Sequence, residues 1–370
     1  MPKESNRPES GLWKDYINRD SVSFYLKTLK KFHKKLNTTK ALDEIFDSNF
    51  IRLELKDRIK TVAEKSHEFL PSDYSQTTKI LIKAASHLDE FHNWILTEYI
   101  RIYGVKHFDD SIYALRELTK HGTAEFAIRV FVNNYTDKMI RVFDHWAKDK
   151  NHHVRRLAAE GSRPRGVWVE HIDSFKRDPQ PVIKLLKKLR ADESLYVRKA
   201  VANNLNDISK DHPETVIKIA SQWKKEKNRH TDWIIKHGCR SLIKKGYPAV
   251  FPLFGFTSKP KIEIEKFKFK KKKIALNDSI EIEFLINSNS SKTQKLAIDY
   301  KLHYMKKNGK LLPKVFKISE KNLQPSKSLP IILKHKFKNN STRKHYAGKH
   351  QIELMINGVS FGLIPLQLEL

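Results

Sequence analysis

The sequence predicts a mainly α protein, a solenoid of paired helices followed by a small all-β sandwich, and three observations carry that prediction. Apolar residues recur at helical spacing from about Asp20 to Gly255. Within that stretch a motif repeats at a fixed offset of 43 residues, a period typical of two-helix solenoid units. Near Phe256 the period changes from three-to-four residues to two, as it must when helices give way to half-buried strands.

The helical elements follow in chain order. Apolar stripes run through residues 80–96, 112–118 and 234–243, and through Val197, Ala200, Val201, Leu205 and Ile208. Gly104, Gly122, Pro164, Pro213 and Gly246 punctuate them, so the helices are short and their turns tight. The repeated motif occupies residues 153–165 and 196–207. Val154 aligns with Val197, Arg155 with Arg198, Arg156 with Lys199, Ala159 with Ala202 and Glu160 with Asn203. Both copies therefore offer cations and polar groups along one edge of a helix whose other face is apolar.

The strands come next. Lys261-Ile262-Glu263-Ile264-Glu265 and Ser279-Ile280-Glu281-Ile282-Glu283-Phe284 alternate apolar with polar, and similar runs cover residues 295–304, 315–318, 330–337, 350–356 and 361–370. Asn308-Gly309 and Asn357-Gly358 are hairpin-turn dipeptides. Six or seven short strands in roughly 110 residues suit a sandwich of immunoglobulin type. The expected organisation is an N-terminal arm over residues 1–20, a helical-repeat domain over 21–257 and a sandwich over 258–370.

Composition narrows the partners. The 370 residues carry 72 Lys+Arg against 42 Asp+Glu, a net +30. A field of that sign favours nucleic acid or an anionic membrane surface. Residues 260–370 hold 23 basic against 9 acidic residues, with Lys270, Lys271, Lys272 and Lys273 consecutive. That run reads either as a DNA contact or as lysine blunting an edge strand. No run approaches the roughly 18 apolar residues of a membrane span, and Met1–Ser5 show no apolar signal core. Cys239 is the single cysteine and the 17 histidines form no metal-binding motif, so neither metal nor cofactor is expected. The expected compartment is the cytoplasm.

On a helical wheel starting at Val154, Glu160 lies at the edge of the apolar face on the side of Arg156. Asn203 takes the equivalent place in the second copy, with Asp207 one turn further on. A row of Glu160, Asn203 and Asp207 suits a reaction that develops positive charge, because carboxylates stabilise a cation and orient water. The same spacing also suits an Arg156–Glu160 ion pair and an Asn203–Asp207 ladder with no catalytic role. Glu125 follows the helix-capping Thr123 and is a third candidate carboxylate, or simply a charge that favours a helix start. Arg163 and Arg165 flank Pro164, a stiff presentation suited to phosphate contacts. Trp168 either stacks on a base or seals a core. Trp146, Trp223 and Trp233 occupy packing positions, and Asn204 reads as an amide bridging adjacent helices.

Taken together, residues 154–165 with Trp168, residues 197–213 with Asn203-Asn204-Leu205-Asn206-Asp207, and residues 123–129 resemble the AlkC-type DNA alkylation-repair glycosylases. Trp233-x-x-Lys236-His237-x-x-Arg240 fits the same pattern. The alternating C-terminal segment resembles the immunoglobulin-like domain that one branch of the family carries. The resemblance implies HEAT-like repeats around duplex DNA and hydrolysis of the N-glycosidic bond of cationic bases, chiefly 3-methyladenine and also 3-methylcytosine. It implies that Asp207 positions the water, that Glu160 and Glu125 stabilise developing charge, and that Trp168 contacts the lesion. Arg155, Arg156, Arg163, Arg165, Arg198, Lys199, Asn203, Lys236 and Lys270 to Lys273 are the expected DNA contacts. The chain reads Gly166-Val167-Trp168 where the family pattern has Leu-Pro-Trp, so the proline that would stiffen the presentation of Trp168 is missing. The expected species is a monomer on double-stranded DNA, clamped by the sandwich. The competing expectations are a non-catalytic damage sensor or architectural DNA-binding protein with the same groove, and a scaffold for acidic protein partners.

Overall fold

The structure, a computed structural model, describes Pro8 and residues 10–269, 273–339 and 344–370. Lys270, Lys271 and Lys272 lie outside the described residues. Among the described residues, fifteen α-helices between Arg19 and Lys245 precede eight β-strands. The chain divides into two compact units, Met1–Asp211 with Asn228–Ile234, and His212–Lys227 with Ile235–Leu370.

The first unit is a helical-repeat array whose helices start where short polar side chains can accept the unpaired backbone N–H groups. Asn18, Asn37, Asp73, Asp89 and Asn151 each cap a helix in this way. The cap at Asp89 explains why the apolar stripe over residues 80–96 is two helices, Tyr74–Ala85 and Glu90–Tyr103. Its Oδ1 accepts from the N–H groups of Phe91 and His92, restarting the helix within one stripe. Residues 13–18 belong to this unit rather than to an arm. Trp13 and Tyr16 lie against the Phe91 ring at 5.6 and 4.8 Å, Arg58 donates to the Lys14 carbonyl at 2.8 Å, and Ile17 is fully buried.

The 43-residue offset survives as a structural repeat. Arg155 donates to the carbonyls of Asp149 and Lys150, and Arg198 donates to those of Asp192 and Glu193, the same pair one repeat later. Asp149 and Asp192 also receive arginines from the preceding rungs, Arg116 at 2.6 Å and Arg155 at 2.7 Å. A ladder of arginine–aspartate pairs thus ties successive repeats together. Arg155 and Arg198 are committed to that ladder and its carbonyls, which corrects the expectation that they face DNA.

In the second unit the strands are β1 (Ile262–Glu265), β2 (Lys273–Ala275), β3 (Ser279–Ser288), β4 (Gln294–Met305), β5 (Leu311–Leu323), β6 (Ser328–Lys336), β7 (Gly348–Ile356) and β8 (Val359–Glu369). They form a three-stranded sheet, β1-β3-β6, and a five-stranded sheet, β2-β8-β7-β4-β5. Alternate residues of β3 (Ile280, Ile282, Phe284, Ile286) share one core with Leu296, Ile298, Tyr300 and Leu302 of β4 and with Ile352, Leu354 and Ile356 of β7. That is the inward alternation of a two-sheet sandwich. β2 is the strand the periodicity missed: three residues paired parallel to β8 are too short to show a period. Its Lys273 is exposed. Asn357 and Gly358 join β7 to β8 with φ of +49° and +78°, the left-handed pair that a two-residue hairpin turn requires. A side chain at Gly358 would also meet the Gly246 carbonyl oxygen at 2.5 Å.

One buried carboxyl in the sandwich makes a testable pH dependence. Asp299 of β4 is only 8% exposed. Burial pushes its carboxyl up to about 6, opposed by the Lys317 ammonium and reinforced by Glu320. A carboxyl raised in the folded state contributes stability that is fully present below its unfolded value of 3.8 and is lost as pH rises through about 6. Asp299→Asn should therefore raise stability at pH 8 by at most about 2–3 kcal/mol, seen as a higher melting temperature, and leave it unchanged near pH 4. Equal gains at both pH values would contradict this.

Candidate active site

Two antecedents in the sequence, the helix His152–Gly161 and the helix Leu195–Ile208, carry the repeated motif. Val154 and Val197 are fully buried, and the Ala159 carbonyl accepts from Asn204 Nδ2 at 2.8 Å, with Ser162 Oγ 3.1 Å from the same nitrogen. Asn204 is thus the interhelix bridge expected of it. With the helices fixed side by side, Glu160 at the end of one and Asp207 near the end of the other come within reach of a single arginine.

Arg163 is that arginine. Its Nε donates to Asp207 Oδ2 at 2.7 Å, and its Nη1 donates to Glu160 Oε1. On the other side of Glu160 lies Arg156, 3.7 Å away, which also pairs with Glu125 and donates to Thr123 Oγ1 at 2.8 Å. Lys210 holds the remaining oxygen of Asp207, Oδ1, at 2.8 Å. The three candidate carboxylates are therefore joined in one alternating chain, Glu125–Arg156–Glu160–Arg163–Asp207–Lys210. Physical necessity accounts for it: three carboxylates this close would repel one another in a poorly solvated site unless cations stood between them. Burial alone would lower the affinity of Arg156 for its proton, but Glu125 and Glu160 outweigh it and hold the guanidinium above its ordinary value. For Arg163 burial is likewise outweighed, by Glu160 and Asp207.

This placement corrects the expectation that Arg163 and Arg165 point at phosphates. Arg163 is buried between carboxylates, and Arg165 forms a two-pronged pair with Asp211 at 2.7 and 2.9 Å. Arg156 is engaged in the same chain and lies 4.9 Å from the Tyr196 ring centre, a cation–π contact on a half-exposed tyrosine. Lys199 and Lys236 are exposed, and Asn203 is half-buried on the helix that bears Asp207. Asp207 itself is 2% exposed, at the floor of the site.

The loop after Arg163 brings Trp168 to the surface. Arg129 pins both of its ends, donating to the Arg163 carbonyl at 2.9 Å and the Glu170 carbonyl at 2.6 Å. Burial lowers the Arg129 guanidinium to about 10, and its neighbour Arg163 adds to the effect. Gly166 sits tightly, because a Cβ there would lie 2.1 Å from Val169 Cγ2 and force that side chain to shift. Trp168 is 62% exposed and has φ +62°, a left-handed conformation that is rare for a bulky residue. The ring therefore seals no core. Between the loop and the carboxylates is a cavity of about 10 Å³ lined by Glu125, Arg129, Glu160, Gly166, Val167 and Val169, room for roughly one water molecule.

Three members of this site were missed in the sequence. Lys210 was legible in principle, three residues after Asp207 on the same helical face. Arg129 and Lys56, whose Nζ donates to the Trp168 carbonyl at 2.9 Å, were not, because both reach backbone oxygens far away in sequence. Among the described residues, no group of three or more His, Cys, Asp and Glu side chains is arranged to hold a metal ion. No helix among them is long and apolar enough to cross a membrane.

Comparison with known proteins bears on this geometry. Residues 119–242, which contain all three carboxylates, match the family model described as DNA alkylation repair enzyme. Residues 263–370 match the model of the C-terminal Ig-like domain of the uncharacterised protein YhaZ. The chain is 39% identical over 345 residues to the protein named YhaZ of Bacillus subtilis (strain 168), covering 93% of this chain and 96% of the relative. A solved structure of the Pseudomonas fluorescens alkylpurine DNA glycosylase AlkC, bound to DNA containing an abasic site analog, superposes with a TM-score of 0.82 at 34% identity. That match covers 97% of this chain and 99% of the other.

Proposed function

The chain belongs to the AlkC-type family of DNA alkylation repair glycosylases, and from that premise we propose that it hydrolyses the N-glycosidic bond of cationic N3-alkylated bases in duplex DNA, 3-methyladenine first and 3-methylcytosine as a second substrate. The observation that carries this reading is the convergence of half-buried Glu125 with buried Glu160 and Asp207 into one cation-bridged chain, under the loop that bears the exposed Trp168.

The chemistry follows from the charge on the base. N3 alkylation makes the base a cation, so the C1′–N bond breaks with its electron pair passing to the base, which leaves neutral. No proton has to be supplied to the leaving group. The demand on the protein is to stabilise the oxocarbenium-like sugar left behind and to bring a water oxygen to C1′. In our reading Asp207 orients that water, while Glu160 and Glu125 offset the positive charge on the sugar. Glu125 suits the part, since its half-buried side chain is held by Arg156 and stays open to solvent on one side. Arg156 and Arg163 keep the carboxylates aimed. In our reading the lesion reacts at the duplex surface rather than in a deep pocket, with the exposed Trp168 against it.

Lys199, Lys236 and the basic sandwich, Lys270 to Lys273 included, remain as the proposed backbone contacts. Each phosphate neutralised should add close to one unit to the salt dependence of binding. One copy of the chain carries both the carboxylates and the basic sandwich, so we read the active species as a monomer working in the compartment that holds DNA. The mechanism makes a discriminating prediction about leaving groups. A duplex with a single 3-methyladenine should lose that base, whereas a matched duplex with neutral hypoxanthine should not. Comparable release of both would contradict a site that supplies no proton.

A further inference from the structure

We propose that Lys56 is a positioning residue for Trp168, holding its backbone so that the indole stays presented at the surface of the site. This rests on the reading of Trp168 as the lesion-contacting residue. The problem the fold has to solve is visible in the loop. A non-glycine residue in the left-handed region costs about 1–3 kcal/mol and persists only where its surroundings over-determine it. The ring of Trp168, 62% exposed, gives little packing to hold that conformation. The residue immediately before it is not a proline, for the chain reads Gly166-Val167-Trp168. Val167 is itself exposed, so the middle of the loop has no apolar attachment.

What holds the loop is polar: the Arg165–Asp211 pair, the Ile172 N–H donated to the Pro164 carbonyl, Asn133 at its far end, and two long cations that reach its backbone. Arg129 fixes the carbonyls of Arg163 and Glu170, which secures the ends. Neither contact reaches Trp168. Lys56, in the first turn of the helix Leu55–His67, donates to the Trp168 carbonyl at 2.9 Å from 112 residues away. It bonds the residue whose backbone is strained. The helix beneath it is well fixed, because Arg58 is buried and donates to the carbonyls of Lys14, Ile51 and Leu53. The lysine therefore reaches the loop from a rigid base. A lysine on the DNA-facing side of a basic protein could instead bind phosphate, and the experiment has to separate the two roles.

The test uses the full-length protein with Lys56→Met, Lys56→Arg, Trp168→Ala and the double variant Lys56→Met/Trp168→Ala. Single-turnover base release from methylated duplex should fall roughly 10-fold in Lys56→Met, within the range of about 100-fold that a misplacement near 1 Å can cost. Lys56→Arg, which keeps a donor, should recover most of the loss. In the Trp168→Ala background Lys56→Met should add nothing, since its effect passes through the missing indole. The salt dependence of binding to a duplex with an abasic-site analogue should stay unchanged. An additive loss, or a salt slope lower by about one unit, would make Lys56 a phosphate contact and overturn the proposal. The Trp168 emission, taken as wild type minus Trp168→Phe, reads the contact without any reaction. A change in its quenching by neutral acrylamide in Lys56→Met supports the positioning role even if no base is released, in which case the glycosylase reading alone falls. Unchanged quenching overturns the proposal.

Discussion

Asp207→Asn is expected to lower single-turnover base release by about 100- to 1,000-fold, the usual loss when one well-aimed electrostatic group is removed from a reacting centre. The substitution keeps the shape of the side chain and removes only its charge. Arg163 retains Glu160 as a partner, and Lys210, which is partly exposed, can turn to solvent. Binding to a duplex with an abasic-site analogue should therefore persist within a few-fold. Glu160→Gln should lower release as well, but it also disturbs Arg156 and Arg163 together, so its loss will mix chemistry with geometry. If Asp207→Asn releases base at the wild-type rate, Asp207 does not orient the water, and the row of carboxylates is an ion-pair ladder with no part in the reaction.

The second large effect is on stability. Arg163→Met should destabilise the helical unit by about 3–5 kcal/mol, because it leaves Glu160 and Asp207 buried without the cation between them. The loss comes chiefly from stranded charge rather than from one missing hydrogen bond. It should shrink when the carboxylates are removed too, so Arg163→Met/Asp207→Asn is predicted to be more stable than Arg163→Met alone. Urea unfolding of the three proteins measures this directly. A double variant that is less stable than Arg163→Met would mean that the carboxylates are sufficiently solvated to stand alone.

Much of the fold was legible because its physical signals are local. Helical and strand periods, breakers and the Asn357-Gly358 turn are written in neighbouring residues and most appear in the structure, but the stripes over residues 80–96 and 234–243 are each divided between two helices and β2 was too short to show a period. The 43-residue offset was legible for the same reason, and the structure gives it a cause in the equivalent bonds of Arg155 and Arg198. The carboxylates were found as candidates from their types and spacing. What spacing could not supply was the direction of long side chains. Arg163 and Arg165 sit after a helix end beside a proline, a setting that equally suits phosphate contacts or a turn back toward acids. Only the packed position of Asp207 and Asp211 decides between them. The bonds from Lys56 and Arg129 to loop carbonyls leave no sequence signature, since every residue has a carbonyl.

The central claim is that this chain breaks a glycosidic bond rather than merely binding damaged DNA. Its most direct test is the release of free base from N-methylnitrosourea-treated duplex DNA by the purified protein, separated by chromatography and set against spontaneous loss from the same DNA. The account predicts 3-methyladenine in the soluble fraction at a rate far above the spontaneous one, with an abasic strand left behind. Tight binding to the methylated duplex with no release above the spontaneous rate would contradict it and mark the protein as a sensor of damage.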